Sequence, residues 1–146
     1  MNAFYAHPAF QLYAACSAVL VVGLYVLAVF TGYTRDGRKM VLNPEDVLLY
    51  AGARVVDHEH ADVQRVKRAH LNLIESALPF FAIGLLYALT DPSLAMARAL
   101  FFTFVGVRLL HAVFYVRARQ PARFVAFALG GLVNLVMVVQ VLRATL

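Results

Sequence analysis

The chain has 146 residues, of which 62% are hydrophobic and only 14% are charged, and its mean hydropathy is +0.74. Soluble domains carry about 25% charged residues, so this composition excludes an ordinary soluble protein and predicts an integral membrane protein. The length suffices for a single domain, residues 1–146, and the one cysteine, Cys16, excludes an intrachain disulfide.

The positive charges are clustered along the chain. The formal net charge is +5, and ten of the thirteen Lys and Arg residues lie in two segments, residues 35–68 and 117–123. This clustering predicts membrane topology rather than nucleic-acid binding, because basic loops stay on the cytoplasmic side. We therefore expect a multi-pass protein with its long loop and its site on the cytoplasmic side and both termini on the opposite side. A phosphate-binding role is the minor alternative.

The first apolar span covers about residues 9–31, which is long enough to cross a hydrocarbon core of ~30 Å. We expect it to end at Gly32, before the polar cluster at residues 35–39. A long loop follows, in which Asn43 is expected to cap a short helix that begins with Pro44. The sequence thus predicts a partly helical loop.

Three further spans follow and are joined by short connections. The second, about residues 61–89, starts basic and becomes apolar, with a kink expected at Pro79. A tight turn leads to the third, about residues 94–116, and Pro121 opens the fourth, about residues 121–143. Short connections make these helices antiparallel neighbours. The predicted fold is therefore all-α, an integral membrane four-helix bundle with up-down topology.

A polar stripe enters the second span. Arg68, Asn72 and Glu75 stand at i, i+4 and i+7 and therefore share one helix face. Hydrocarbon penalises an unpaired charged side chain by ~3 kcal/mol, so the stripe requires a polar, zwitterionic ligand or a buried partner. A carboxylate that accepts an amine, beside an arginine that binds a carboxylate, is complementary to a small peptide-like zwitterion.

The third span carries a second stripe, formed by Arg108, His111 and Tyr115. Arg108 and Glu75 lie at similar depth on antiparallel helices, so a structural ion pair is the alternative to a ligand role. Asp46 of the loop is the other carboxylate assigned to a structural pair with Arg108. An ion or proton channel along these polar groups is disfavoured because the rest of the second span is apolar.

The histidines of the loop are not expected to bind metal. His58 and His60 stand at i, i+2 in an acidic stretch, and this spacing directs two imidazoles apart on a helix. A solvated loop without a metal site is the prediction there. His70, near the start of the second span, is predicted to be structural.

Short motifs are spread along the chain in a definite order: Thr31-Gly32, Asn43-Pro44-Glu45-Asp46, Arg68-Ala69-His70-Leu71-Asn72, Glu75, Pro79-Phe80, Arg108, His111, Tyr115 and Arg123. Together they resemble the MAPEG family, membrane-associated proteins in eicosanoid and glutathione metabolism. The resemblance covers nearly the whole chain. Each motif is short, but their order and spacing make chance agreement improbable.

The resemblance implies a homotrimer of four-helix protomers that binds glutathione as co-substrate between neighbouring subunits, near the cytoplasmic face. It implies that Glu75 binds the amino end of glutathione while Arg68 and Asn72 help to hold its backbone. Arg123, together with Tyr115, is implied to be catalytic and to face the sulfur. The residues implied to contact glutathione are Arg35, Arg68, Asn72, Glu75, His111, Tyr115 and Arg123.

The reaction implied by the resemblance is transfer of glutathione to lipophilic electrophiles, with peroxidase activity on lipid hydroperoxides as an extension. The prostaglandin-isomerising branch of the family has Arg-Ser-x-x-Tyr where Arg123 is followed here by Phe124 and Phe127. That isomerase activity is one alternative, and a non-catalytic lipid-binding scaffold, which would be expected to lack Arg123, is another. The apolar substrate is expected to arrive from membrane lipid between spans one and four, at Phe124 and Phe127.

Overall fold

The computed structural model describes residues 7–146 of the chain. This part of the chain forms four long helices, and all four are long and apolar enough to cross a membrane. The expected all-α, multi-pass membrane architecture is therefore confirmed. In chain order the helices are α1 (Pro8–Arg38), α2 (Ala61–Leu89), α3 (Leu94–Val116) and α4 (Gln120–Thr145).

The loop between α1 and α2 has regular structure of its own. Strand β1 (Met40–Val41) pairs in parallel with strand β2 (Arg54–Val55). Between the strands lies a 3₁₀ helix, Pro44–Leu48, which Asn43 precedes without a side-chain capping bond. The expected cap is not formed, and the Asn43 side chain donates to Oδ2 of Asp46 at 3.3 Å. The loop is therefore folded against the end of α1 rather than extended.

Helix α1 is longer than the predicted first span. It continues past Gly32 to Arg38 and is capped by Lys39, which adopts the left-handed conformation with φ 51°. Arg35 and Arg38 in its last turn offset the partial negative charge of the helix C-terminus, and both pair with carboxylates near the start of α2. The prediction that the helix ends before this polar cluster was wrong, because its charges stabilise the last turn through partners distant in sequence.

Helices α2 and α3 begin and end at the residues that the sequence indicated for the second and third spans. Each starts at a side-chain cap. His60 Nδ1 accepts a bond from the backbone N–H of Asp62 at 3.1 Å, and Ser93 Oγ accepts one from Met96 at 3.4 Å. Pro79 lies inside α2 without ending it, so a single helix runs from Ala61 to Leu89.

The two central helices are α2 and α3. They pack against each other, and each also contacts α1 and α4, whereas α1 and α4 do not contact each other in the described part of the chain. The four helices therefore form a rhombus rather than a closed square. One side of α1 and one side of α4 stay available to lipid or to a second protomer.

An aromatic cluster at the end opposite the loop joins α1, α2 and α3. Phe80 stacks on Phe104 with ring centroids 4.5 Å apart and meets Phe101 edge-on at 5.6 Å. Tyr13 of α1 lies 5.9 Å from Phe80, and its hydroxyl donates to the backbone carbonyl of Phe81 at 2.8 Å. Lipid tails are as apolar as these side chains, so close packing and paired polar groups, rather than the hydrophobic effect, hold the helices together.

Candidate functional site

Helices α3 and α4 bring three of the predicted site residues together beside the link that joins them. The guanidinium of Arg123 lies over the Tyr115 ring, with Cζ 4.4 Å from the ring centroid. The ring centroids of His111 and Tyr115 are 5.7 Å apart, and His111 is buried. A cation over an aromatic face is attracted to it by about 0.5–2 kcal/mol, so Tyr115 holds Arg123 at this place.

A tight link between the two helices positions Arg123. Arg117 caps α3, Ala118 takes the left-handed conformation with φ 55°, and the backbone N–H of Arg119 donates back to α3 at 2.9 Å. This reversal starts α4 at once and turns its first residues back toward α3. Arg117 and Arg119 are exposed, whereas Arg123 is partly buried. Position in the fold thus separates Arg123 from the two other arginines of the link.

Arg108 lies one helical turn further into α3 than His111 and is 3% exposed. Its guanidinium sits between the rings of Phe104 and Phe127, with Cζ 5.4 Å from each centroid. Nη2 makes one long bond of 3.5 Å to the Phe127 carbonyl, while Nε and Nη1 have no partner among the described residues. Two aromatic faces therefore stabilise this buried cation, and no carboxylate of residues 7–146 does.

The expected structural ion pair of Arg108 is not formed within the protomer. Asp46 lies in the 3₁₀ helix of the loop and is bonded by Asn43, while Glu75 is exposed on α2. The reason is the direction of the Arg108 side chain, which points into the contact between α3 and α4. Gly130 leaves room for it there, since a Cβ at that position would lie 2.6 Å from Nε of Arg108.

A second polar cluster joins the end of α1 to the start of α2. Glu59 is 8% exposed, and its carboxylate accepts hydrogen bonds from Arg35 and from Lys67, the latter at 2.8 Å. Burial by itself raises the pKa of Glu59, but the bonds and charges of Lys67 and Arg35 outweigh it and hold the pKa below its ordinary value. Arg35, one of the predicted glutathione residues, is thus already held by a carboxylate of the chain.

Glu59 was missed in the sequence, although a signal was present. Arg35 and Arg38 are three residues apart, and so are Glu59 and Asp62, which pair with them in the same order. The pair of Arg38 and Asp62 is exposed, whereas the carboxylate of Glu59 is buried. Two ion pairs with the same spacing of 24 residues therefore join the helices across the loop.

The predicted stripe on α2 faces outward from the protomer. Arg68 is exposed and donates a hydrogen bond to Gln64 at 3.3 Å, and Glu75 is exposed near the middle of the helix. The side-chain oxygen of Asn72 is buried and has no partner among the described residues. Arg68, Asn72 and Glu75 do lie along one face, but no hydrogen bond or ion pair of the described protomer joins them to the cluster on α3 and α4.

Two cavities lie beside these clusters. An apolar groove of about 470 Å³ runs between α1 and α3, where Gly23 faces Leu109. A second cavity, of about 450 Å³, lies at the start of α2 and falls in the size range of small-molecule sites. It is lined by Glu59, Gln64, Lys67, Arg68, His70, Leu71 and Ile74.

The two phenylalanines predicted to receive an apolar substrate lie on α4. Phe124 and Phe127 are 65% and 47% exposed, and Phe127 also packs on Arg108 and lies 6.2 Å from His111. The entry route expected between spans one and four does not exist within one protomer, because α1 and α4 do not touch in the described chain. Such a route requires two protomers.

Comparison with known proteins adds an independent observation. The sequence model of the MAPEG family matches residues 13–143. Prostaglandin E synthase from Bos taurus is 38% identical over 135 residues, which cover 92% of this chain and 86% of that protein. Microsomal glutathione S-transferase 1 is 36% identical in Sus scrofa and 34% identical in Homo sapiens, each over 141 residues that cover 94% of this chain and 91% of the relative.

Proposed function

Because the chain belongs to the MAPEG family, we propose that it is a membrane-bound enzyme that transfers glutathione to lipophilic electrophiles. Relatives named for glutathione transfer and for prostaglandin E synthesis both align with most of its length. Two features of this chain favour transfer, the first over isomerisation and the second over a non-catalytic scaffold. Phe124 and Phe127 stand where the isomerase pattern has hydroxyl side chains, and Arg123 is retained, which a non-catalytic scaffold does not need.

The observation that carries the proposal is the polar stripe on α2. Arg68 and Glu75 offer a cation and a carboxylate on one outward face, and Asn72 adds an oxygen without a partner. Glutathione has a free amine, two carboxylates and peptide N–H groups. The amine suits Glu75, a carboxylate suits Arg68, and a peptide N–H suits the Asn72 oxygen.

We propose that a neighbouring protomer in a homotrimer completes this site. The charged side chains of the stripe alternate with Leu71 and Leu78, which are 54% and 61% exposed. A face that mixes charge with exposed leucine is unfavourable in lipid, and a second copy of the chain covers it by symmetry. The positive-inside rule places this site and the long loop in the cytoplasm and both termini on the other side.

The chemistry requires a thiolate, and a thiol of pKa about 8.5 is only a few per cent ionised at neutral pH. A guanidinium that faces the sulfur in a partly dehydrated site lowers this pKa by ~2 units, worth ~2.7 kcal/mol. Arg123 suits this role because it is permanently charged and cannot take the proton itself. Tyr115, which lies under Arg123, fixes the guanidinium and offers a hydroxyl to the same sulfur.

The apolar substrate arrives from the bilayer and meets the thiolate at the exposed rings of Phe124 and Phe127. With an electrophile, the sulfur forms the new bond and the leaving group departs with the electron pair. With a lipid hydroperoxide, the thiolate attacks the terminal oxygen, which leaves the lipid alcohol and a sulfenic acid on the glutathione sulfur. A second glutathione then reacts with the sulfenic acid to give the disulfide and water. The same activated sulfur therefore serves transfer and peroxidase activity.

The deciding experiment measures conjugation of glutathione to chlorodinitrobenzene by the purified protein in detergent, together with its mass. We expect saturable conjugation and a mass of three protomers. Arg68→Leu should raise the KM for glutathione, while Arg98→Leu, an exposed arginine of α3 far from the stripe, should not. A folded protein that neither binds nor conjugates glutathione refutes the proposal, and faster conversion of a prostaglandin endoperoxide would favour the isomerase.

A further inference from the structure

Glu59 is the one buried carboxylate in the described part of the chain. Its side chain is 4% exposed, and each oxygen has a cation of its own. Oε1 accepts from Nη2 of Arg35, and Oε2 accepts from Nζ of Lys67 at 2.8 Å. The backbone carbonyl of Glu59 accepts from the Gln64 side chain at 2.9 Å. A buried carboxylate with both oxygens bonded to cations has a fixed position.

Arg35 is held in return, but its hydrogen-bonding capacity is not used up. Nη2 donates to Glu59, Tyr50 is a second hydrogen-bonding neighbour, and Nε is buried without an acceptor among the described residues. The side chain is nevertheless 21% exposed, so part of the guanidinium is open to a ligand. A carboxylate oxygen of a bound ligand is the acceptor that matches a guanidinium best.

We propose that Glu59 is a positioning residue, which holds the guanidinium of Arg35 so that its exposed part meets a carboxylate of glutathione. This inference rests on the proposed function, because the contact of Arg35 with glutathione is an expectation from the family resemblance and requires that the chain binds glutathione. Glu59, Lys67 and Arg68 line one cavity. Glu59 therefore connects Arg35, on α1, to the cavity whose lining on α2 includes Arg68.

Neutralising Glu59 would release Arg35. A glutamine can accept from one of the two cations only, and it directs an N–H toward the other. Arg35 and Lys67 then repel each other, and the long arginine side chain regains rotamers that binding must restrict again. The loss falls on glutathione affinity and not on the chemical step, since Arg35 is not placed at the sulfur.

The exposed pair of Arg38 and Asp62 supplies a matched control. It has the same spacing across the same loop and joins the same two helices, but it lies in solvent. The experiment compares glutathione titrations and steady-state conjugation by Glu59→Gln and Asp62→Asn proteins. We expect Glu59→Gln to raise the KM for glutathione about tenfold or more, the loss expected for one charge-assisted contact, with kcat nearly unchanged. Asp62→Asn should match the wild type.

A second readout does not depend on glutathione. Thermal unfolding of Arg35→Gln, Glu59→Gln and the double variant gives a coupling between the two residues, which should exceed the coupling measured in the same way for Arg38 and Asp62. Glu59→Asp keeps the charge on a shorter side chain and should give a KM between those of the wild type and Glu59→Gln. It replaces Glu59→Gln in the comparison if that variant does not fold.

The outcomes separate the two proposals. Equal KM values for Glu59→Gln and Asp62→Asn, in a wild type that conjugates glutathione, overturn the positioning role and leave the proposed function standing. A fall in kcat at unchanged KM also overturns it, because the effect would then lie at the sulfur. A wild type that does not bind glutathione refutes the proposed function and the positioning role with it, whatever the unfolding couplings are.

Discussion

Replacing Gly130 by alanine should destabilise the protein, although alanine is the better helix former. A Cβ at this position would lie 2.6 Å from Nε, 2.7 Å from Cζ and 2.8 Å from Nη2 of Arg108. These distances are far below van der Waals contact. The guanidinium has little freedom to withdraw, because Arg108 is 3% exposed and lies between the rings of Phe104 and Phe127.

The neighbouring Gly131 provides the reference, since a Cβ there would meet nothing within 4 Å. Both substitutions gain ~1 kcal/mol of helix propensity. Gly130→Ala in addition forces an overpacked contact, which costs ~1–3 kcal/mol in a well-packed core. The free energy of unfolding of Gly130→Ala should therefore lie ~1–3 kcal/mol below that of Gly131→Ala, because the propensity gain cancels in the comparison.

Denaturant unfolding of both variants in one detergent, followed by circular dichroism, measures this difference. The Arg108→Leu background provides the control, because shortening the side chain should remove most of the difference between the two alanine variants. Equal stability of Gly130→Ala and Gly131→Ala in the native background would refute the reasoning. It would mean that the guanidinium moves aside at no cost and is not clamped by the two rings.

Three further outcomes are expected. Arg123→Leu should remove most of the ultraviolet absorbance of bound glutathione thiolate and lower kcat by up to ~10²-fold, the factor that corresponds to ~2.7 kcal/mol. Arg117→Leu and Arg119→Leu should keep both, and loss of thiolate in either of these variants would reassign the activator. Glu75→Gln should raise the KM for glutathione with little change in kcat, and an unchanged KM with a dissociated protein would assign Glu75 a purely structural role. Two cations lower the pKa of Glu59 against the effect of burial, so its contribution to stability is present above the ordinary glutamate value of about 4.5 and is lost as the pH falls through its lower folded value. Thermal unfolding at falling pH should therefore show less acid destabilisation in Glu59→Gln than in the wild type.

The helices could be predicted from the sequence where local signals and burial agree. The bounds of α2 and α3 agree with the predicted second and third spans, and in the structure each helix starts at a side-chain cap, His60 or Ser93. The end of α1 could not be predicted, because Gly32 and the charges after it are typical of a helix end. Those charges instead stabilise the last turn through ion pairs with residues 24 positions away. A local pattern contains no information on such pairs.

The candidate site was predictable in its members and less so in its contacts. The periodicity of α3 indicated that Arg108 shares a face with His111, and the two do lie close in the fold. It did not indicate what neutralises Arg108, because that depends on side-chain direction and on the space that Gly130 leaves in the neighbouring helix. The expectation of a carboxylate partner came from charge alone, and two aromatic rings take that place.

The outward stripe on α2 places a requirement on the assembly. Glu75 lies ~21 Å along the helix from its first residue, and a charge exposed to lipid near the middle of a span costs ~2.5–3.5 kcal/mol. Arg68, two turns closer to the loop, has a long side chain that can reach the interface, but the shorter Glu75 cannot. In the proposed assembly, a second protomer covers the leucines of the stripe and the amine of glutathione pairs with Glu75. The trimer and the ligand therefore form a single proposal, because only together do they cover the leucines of the stripe and pair Glu75 with an amine.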